Sequence, residues 1–219
     1  GRLKNLDLYS IIKKFLFNKK DAKHIDGDFL YPKYGFGSIF TTIFENLDQN
    51  KISLMTPIKS IIHESNNIKK IKLKNNNEID VDHVISTLPL PLLIRQLNPS
   101  APEHILKIVN QIKYRDLKLF ILFLDKESFS PNASLYFPEK EVLFTRIYEP
   151  KNRSPYMSPK GKTSIVIEFP CSNEMKDDSD DAKIYNDIKS FLIDKHFITS
   201  DEIIDYKVLS MPFAYPILR

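Results

Sequence analysis

The sequence has little of what several common classes of protein require. Its single cysteine, Cys171, excludes an intrachain disulfide and a cysteine-rich metal site, and it favours a reducing compartment. Five glycines and no tryptophan among 219 residues argue against a collagen-like or glycine-linker protein. The longest apolar run, 117–124, is of strand length, well short of the roughly 18 residues that a membrane-spanning helix needs. We therefore expect a soluble cytoplasmic protein, and contact with a membrane surface stays an open question.

The charge is mildly basic and scattered. The formal net charge is +4, and 42% hydrophobic with 27% charged residues is ordinary globular composition. The densest basic run, 69–74, alternates lysines with Ile71 and Leu73, which is typical of the solvent face of a strand. A nucleic-acid partner is not expected, because such proteins cluster arginine and lysine beside exposed aromatic side chains. A non-enzymatic α+β module that binds an anionic partner remains an alternative.

Hydrophobic spacing predicts more strands than helices. Apolar residues at helical spacing predict helices over 6–17, 38–47 with Ser38 as its cap, 92–97, 102–112, and after the acidic run 177–181. Alternating or continuous apolar runs predict strands over 51–55, 58–62, 68–74, 78–82, 83–87 (buried), 113–125, 134–137, 142–148, 163–169 and 201–210. The pattern predicts an α+β fold, with a mainly antiparallel mixed sheet flanked by helices and a small β-meander.

No self-contained catalytic motif is present. The sequence has no nucleophile elbow, zinc-protease helix, P-loop or dinucleotide-binding glycine motif, and its five histidines lack metal spacing. No metal and no catalytic residue are therefore predicted. Two segments are more informative: Gly35 and Gly37 lie two residues apart just before a helix, and 84–91 ends a strand in Ser-Thr-Leu-Pro. Each alone is a weak signal, because most such segments are only turns and strand ends.

The order of several segments is specific. Tyr-Pro-Lys-Tyr-Gly-Phe-Gly (31–37) precedes Ile-Ser-Leu-Met-Thr-Pro-Ile-Lys-Ser-Ile (52–61), and Asp-His-Val-Ile-Ser-Thr-Leu-Pro-Leu-Pro (82–91) follows a hairpin. Tyr-Arg-Asp (114–116), Phe-Thr-Arg-Ile-Tyr (144–148) and Ala-Tyr-Pro (214–216) continue the series. In this order the chain resembles the flavin-dependent amine oxidase superfamily, particularly its protoporphyrinogen-oxidase-like and UDP-galactopyranose-mutase-like members.

The resemblance implies FAD as cofactor, yet two glycine-rich FAD segments of the family have no counterpart here. The chain is therefore expected to be an internal piece, inactive alone, whose partner is the missing FAD-binding domain of the same protein. The expected organisation is a helical entry with the glycine loop (1–50), a β-meander on the cofactor side (51–91) and an α+β substrate-binding domain (92–219).

The resemblance also implies residues that approach the cofactor. The Ile58 backbone would face the adenine, Thr87 and Pro89 would lie near the adenosine or pyrophosphate, and Gly35 and Gly37 would pass close to the flavin ring. Simple strand packing is the alternative for Ile58, Thr87 and Pro89.

Candidate residues for a small-molecule substrate are Arg146, Tyr148, Arg153 and Tyr215. Arginine is scarce in this lysine-rich chain, and its planar fork suits a carboxylate or a diphosphate. A structural ion pair is the alternative for each arginine. The expected activity of the whole protein is hydride transfer from a substrate C–H bond to the flavin. The alternative is a mutase-like sugar isomerase, in which reduced flavin acts as a nucleophile without net oxidation.

Overall fold

The computed structural model describes residues 30–171 and 180–217, and these form an α+β fold with two sheets. The helix expected over 6–17 and most of the acidic run 177–181 lie outside the described residues. Among the residues described, no helix is long and apolar enough to cross a bilayer.

The first described segment is a loop that leads into helix α1, Gly37–Glu45. The helix predicted over 38–47 is confirmed, but Ser38 is not its cap. It lies inside the first turn, where its hydroxyl donates to the Gly35 carbonyl at 2.8 Å. The strand predicted over 51–55 is wrong: a 3₁₀ turn, Gln49–Lys51, is followed by the exposed Leu54 and Met55, and the φ of Met55 is +54°. A left-handed residue interrupts the extended backbone that a strand requires.

The first sheet contains the predicted β-meander. Strands β1 (Ile58–Glu64), β2 (Asn67–Leu73) and β3 (Glu78–Asp80) are antiparallel, and the short β4 (Leu97–Asn98) pairs parallel to β1, giving the order β3-β2-β1-β4. Helix α2 (Leu90–Arg95) leads into β4, and helix α3 (Glu103–Val109) begins after Pro102. The three domain ranges expected from the sequence stay a prediction.

The buried strand predicted over 83–87 is wrong. No described residue of this segment belongs to a strand, Ile85 is 97% exposed and Thr87 is exposed. A β-branched sequence forms a strand only beside a partner that satisfies its backbone hydrogen bonds, and none of the described strands pairs with it.

The second sheet is antiparallel throughout. It consists of β5 (Tyr114–Leu124), β6 (Leu135–Tyr136), β7 (Arg146–Tyr148), β8 (Thr163–Cys171) and β9 (Ile203–Pro216) in the order β6-β7-β8-β5-β9. Strand β7 is shorter than the predicted 142–148, and β9 continues beyond the predicted end at 210. The Ala-Tyr-Pro segment is therefore part of a strand.

Helix α4, Asp181–Asp194, covers one face of this sheet. The side chains on that face come from alternate strand positions, as the two-residue period of a strand dictates. They form the hydrophobic core with the apolar stripe of α4, and its most buried members are Phe120, Leu122, Leu124, Ile147, Ile165, Ile167, Ile188 and Leu192. The opposite face, here called the outer face, is where polar side chains of β6, β7 and β8 lie.

Candidate functional site

Strand register brings three polar side chains into one row on the outer face. Tyr136 of β6 pairs with Arg146 of β7, and Arg146 pairs with Glu168 of β8. Directly paired residues of antiparallel strands share a face, so the three side chains meet although they are distant in sequence. Tyr148 lies two residues after Arg146 and therefore on the same face.

The guanidinium of Arg146 is the centre of this row. It forms an ion pair with the Glu168 carboxylate and lies 3.5 Å from the Tyr136 hydroxyl. It also lies 5.2 Å from the centre of the Tyr148 ring and 5.8 Å from that of Tyr136. These distances are those of cation–π contacts, which orient the planar group between two aromatic rings.

The electrostatic environment keeps the arginine charged and the tyrosine neutral. Burial opposes the charge on Arg146, but the hydrogen bonds that the guanidinium donates to Glu168 and Tyr136 outweigh it and raise the pKa of the guanidinium above its usual value. Burial, followed by the negative charge of Glu168, raises the pKa of Tyr148. The Nε of Arg146 is buried and has no hydrogen-bond partner among the described residues. An unsatisfied buried donor is costly, so this N–H is suited to a ligand oxygen.

A second arginine belongs to the same neighbourhood. The guanidinium carbon of Arg153 lies 6.0 Å from the centre of the Tyr31 ring. The charges of Tyr31 and Arg153 both act weakly on the Tyr148 hydroxyl, with Tyr31 raising its pKa and Arg153 lowering it. We refer to Tyr31, Tyr136, Arg146, Tyr148 and Arg153 as the arginine–tyrosine cluster.

An open cleft of about 540 Å³ adjoins the cluster. It is lined mainly by apolar side chains of the first loop and of α1, with Arg153 as its charged member: Leu30, Tyr31, Pro32, Phe36, Ile39 and Arg153. An apolar cleft with one cationic group at its wall accommodates a ligand that has a flat or apolar part and an anionic part.

Contacts between two loops hold the cleft wall in place. The Ser154 hydroxyl donates to the Lys33 carbonyl at 2.6 Å, and the Lys33 ammonium lies 4.0 Å from the centre of the Tyr156 ring. Gly35 has a φ of +91°, and a β-carbon there would lie 2.7 Å from the sulfur of Met157. Gly35 is thus required by conformation and by packing within this chain. A β-carbon at Gly37 would meet no described atom within 4 Å, so nothing in the described chain requires glycine there.

The other residues assigned to the cofactor lie on the first sheet and on the segment that follows it. The Ile58 carbonyl accepts a hydrogen bond from the Gln96 amide at 3.3 Å. Thr87 is exposed, and the Pro89 carbonyl accepts the Leu92 N–H at the start of α2. Their roles toward a cofactor stay predictions.

Tyr215 is the one predicted substrate residue that lies apart. It pairs with Arg115 of β5, whereas Arg146 aligns through Glu168 with Leu119. Four residues along the strand and three strand spacings separate the two positions, which corresponds to roughly 20 Å. The fold therefore brings Arg146, Tyr148 and Arg153 together and leaves Tyr215 outside their cluster.

Comparisons with known proteins identify the family of the chain. The family model described as "GLF: UDP-galactopyranose mutase" matches residues 20–190, which is more than half of the chain. The chain belongs to the UDP-galactopyranose mutase family. This confirms the resemblance to the flavin-dependent amine oxidase superfamily, particularly to its UDP-galactopyranose-mutase-like members. No curated protein matches the chain.

Solved structures show the same fold at low identity. A reduced UDP-galactopyranose mutase superposes with a TM-score of 0.75 at 20% identity, covering 96% of this chain and 46% of its own. A protein assigned as a protoporphyrinogen oxidase from an Exiguobacterium species gives 0.65 at 17%, covering 88% and 42%. A redesigned triple variant of putrescine oxidase gives 0.57 at 12%, covering 80% and 38%. The chain thus spans less than half of the length of each of these relatives.

Sequence reasoning missed three residues around the two arginines of this mutase-family chain. Tyr31, Tyr136 and Glu168 were not assigned to a site. Tyr31 could have been suspected, because it opens the glycine loop that carries the family resemblance. Tyr136 and Glu168 could not, because they reach Arg146 only through the pairing of β6, β7 and β8, which local spacing does not determine.

Proposed function

We propose that this chain supplies the substrate-binding side of an FAD-dependent isomerase that acts on UDP-galactopyranose or a closely related sugar nucleotide. The observation that carries the proposal is the arginine–tyrosine cluster, in which Arg146 lies against the Tyr148 ring and Arg153 lies near the Tyr31 ring at the wall of the adjoining cleft. Membership of the mutase family supplies the class of substrate.

The cluster has the chemistry that a diphosphate requires. The Arg153 guanidinium at the cleft wall offers N–H donors in a planar fork, which matches phosphate oxygens and neutralises their charge. Arg146 is ion-paired with Glu168, so its contribution is the Nε–H that has no partner among the described residues. The Tyr148 hydroxyl stays protonated because burial and Glu168 raise its pKa, so it can donate to an anion. The adjoining apolar cleft would hold the flat or less polar part of the same ligand.

The residues near the glycine loop fit a flat cofactor. Space is open at the position of a Gly37 β-carbon, so the backbone there can approach a ring closely. When bound, reduced flavin would supply the electron-rich atom that attacks the sugar, and the protein's task is to bind and orient the substrate. In the alternative, hydride transfer, the flavin would accept a hydride from a substrate C–H bond.

An exposed apolar surface supports a covering cofactor domain. Helix α1 has no buried residue among those described, and Phe36, Phe40 and Ile43 are each more than half exposed. Ile85 of the unpaired segment after β3 is exposed as well. Exposed apolar side chains grouped on one helix in this way are typical of an interface. We propose that the FAD-binding domain covers it, supplied by sequence outside these 219 residues.

The test is a pair of measurements on the natural full-length protein. We expect a flavin absorption spectrum, and we expect UDP-galactopyranose to be converted into an isomer of equal mass once the flavin is reduced. Oxidised product formed with consumption of an electron acceptor would support hydride transfer instead. A colourless protein that cannot be reconstituted with FAD would rule out both flavin proposals.

A further inference from the structure

The segment that carries Tyr148 and Arg153 also contains a buried carboxylate, Glu149. Its side chain is almost entirely buried at 2% exposure, although it belongs to a residue type that is rarely buried. A buried carboxylate is stable only when hydrogen bonds satisfy its oxygens.

The hydrogen bonds of Glu149 all reach toward one loop and one strand. Its oxygens accept the N–H groups of Phe129 at 3.1 Å and Ser130 at 2.9 Å, and the Thr163 hydroxyl at 2.6 Å. The carboxylate therefore fixes the end of β7 to the loop after β5 and to the start of β8. Because three donors from two separate elements hold one side chain, this attachment is firm.

Two further contacts hold the turn that follows. The Asn152 side-chain amide donates to the carbonyls of Ser130 and, at 3.0 Å, Asn132. The Lys151 ammonium donates to the carbonyls of Glu127 and Lys162 at 2.7 and 3.1 Å. The turn Pro150–Asn152 is thus attached to the same loop at several points before the chain reaches Arg153.

Site residues and anchors follow one another along this segment. Tyr148 is followed by the anchor Glu149, and Arg153 is followed by Ser154, whose hydroxyl binds the Lys33 carbonyl of the cleft wall. The backbone on each side of the turn is therefore fixed beside a residue of the cluster. Displacing a functional group by about 1 Å can lower activity by as much as about 100-fold, so such anchoring bears directly on function.

From this arrangement we propose that Glu149 is a positioning residue, which holds Tyr148 and Arg153 at the spacing that a diphosphate requires. The inference rests on the proposed function of the cluster, and it adds a residue that touches no ligand. If Glu149 only held the fold together, its substitution would lower stability alone. If Glu149 also sets the geometry of the site, its substitution weakens ligand binding by the folded protein as well.

The test is calorimetric titration of UDP into the natural full-length protein and its variants, with thermal unfolding recorded in parallel. Glu149→Met leaves two N–H groups and one hydroxyl without their acceptor, and we expect the Kd of the folded protein to rise roughly 10- to 100-fold. Glu149→Gln should stay within about 3-fold of wild type, because Thr163 can turn its hydroxyl to accept from the new amide while the remaining oxygen accepts the backbone N–H groups. Ile188→Val is the matched control: it removes one buried methylene group from the core beneath α4 and none of the bonds to Glu149, so we expect a lower Tm with an unchanged Kd.

Asn152→Ala keeps the test decisive if Glu149→Met does not fold. Asn152 is exposed, and its loss frees the same turn from the same loop, so we expect the Kd to rise about 3-fold or more at nearly wild-type Tm. Unchanged Kd values in both Glu149→Met and Asn152→Ala, or in the second when the first cannot be folded, would overturn the inference and leave the proposed function standing. Absence of UDP binding by the wild type would overturn both.

Discussion

The two glycines of the first loop give opposite predictions for the same substitution. Gly35→Ala places a β-carbon on a residue with a φ of +91°, and that atom would lie 2.7 Å from the Met157 sulfur and 2.9 Å from its methyl group. Strain of an L-residue in this region costs roughly 1–2 kcal/mol. Displacement of the flexible methionine end adds to this, for a total of about 1–3 kcal/mol.

Gly37→Ala is the matched control. The new β-carbon would meet no described atom within 4 Å, and Gly37 opens helix α1. Alanine is the better helix former by up to roughly 1 kcal/mol, so this substitution should leave the loop unchanged or stabilise it slightly.

Hydrogen exchange at the Ser38 amide measures the difference, because this N–H donates to the Gly35 carbonyl at 3.1 Å. A loss of about 1–3 kcal/mol of local stability predicts exchange roughly 5- to 150-fold faster in Gly35→Ala. Gly37→Ala should exchange at the wild-type rate or more slowly. Equal exchange in wild type and Gly35→Ala would refute the argument from backbone conformation and packing.

Two further predictions concern the second sheet. Phe120→Ala should lower the free energy of unfolding by about 3–5 kcal/mol in urea denaturation, because Phe120 is fully buried, whereas Phe123→Ala on the outer face, 38% exposed, should lower it by much less. Similar losses for the two would contradict the assignment of the core to the α4 face. The raised pKa of Tyr148, caused by burial and Glu168, adds stability that is fully present below the tyrosine's unfolded value near 10 and is lost as pH rises through the folded value. Tyr148→Phe should therefore make unfolding less pH-dependent above pH 10, and an unchanged alkaline slope would argue against the shift.

The sequence predicted those elements whose pattern is decided locally. The meander β1–β3 follows from alternating residues separated by asparagine turns, and Ser65, Asn66 and Asn76 do adopt positive φ. Strand β5 follows from its long apolar run, and α4 from apolar residues at helical spacing on a polar background. In β5 and α4 the side chains that make the pattern are the ones that pack in the core of this chain.

Predictions failed where packing decides the structure. Residues 83–87 have the composition of a buried strand, but no described strand pairs with them and Ile85 is exposed. β-propensity reflects how well a side chain fits a half-buried pleated surface. A segment of high β-propensity therefore forms no strand where the neighbouring surface is absent. The strand predicted over 51–55 is wrong for a local reason, because the chain turns at Met55 with positive φ.

The candidate site stays a prediction. The sequence named Arg146, Tyr148 and Arg153 as candidates, and the structure places Arg146 against the Tyr148 ring while also showing the ion pair that was the alternative for Arg146. Their partners Glu168 and Tyr136 depend on strand register, and the burial of Glu149 depends on a loop twenty residues earlier in the chain. No local pattern encodes such contacts, because they arise only when the second sheet assembles.

The central claim is that the arginine–tyrosine cluster binds a diphosphate. Its most direct test is titration of UDP into the natural full-length protein, into Arg153→Met and into Arg95→Met, which removes an equal charge from α2, where Arg95 binds Asn110. Loss of hydrogen bonds to a charged group is worth about 1.5–3 kcal/mol, so the account predicts a Kd roughly 10- to 150-fold higher for Arg153→Met. Arg95→Met should bind UDP like the wild type. Equal effects of the two substitutions, or no effect of either, would contradict the assignment of the site.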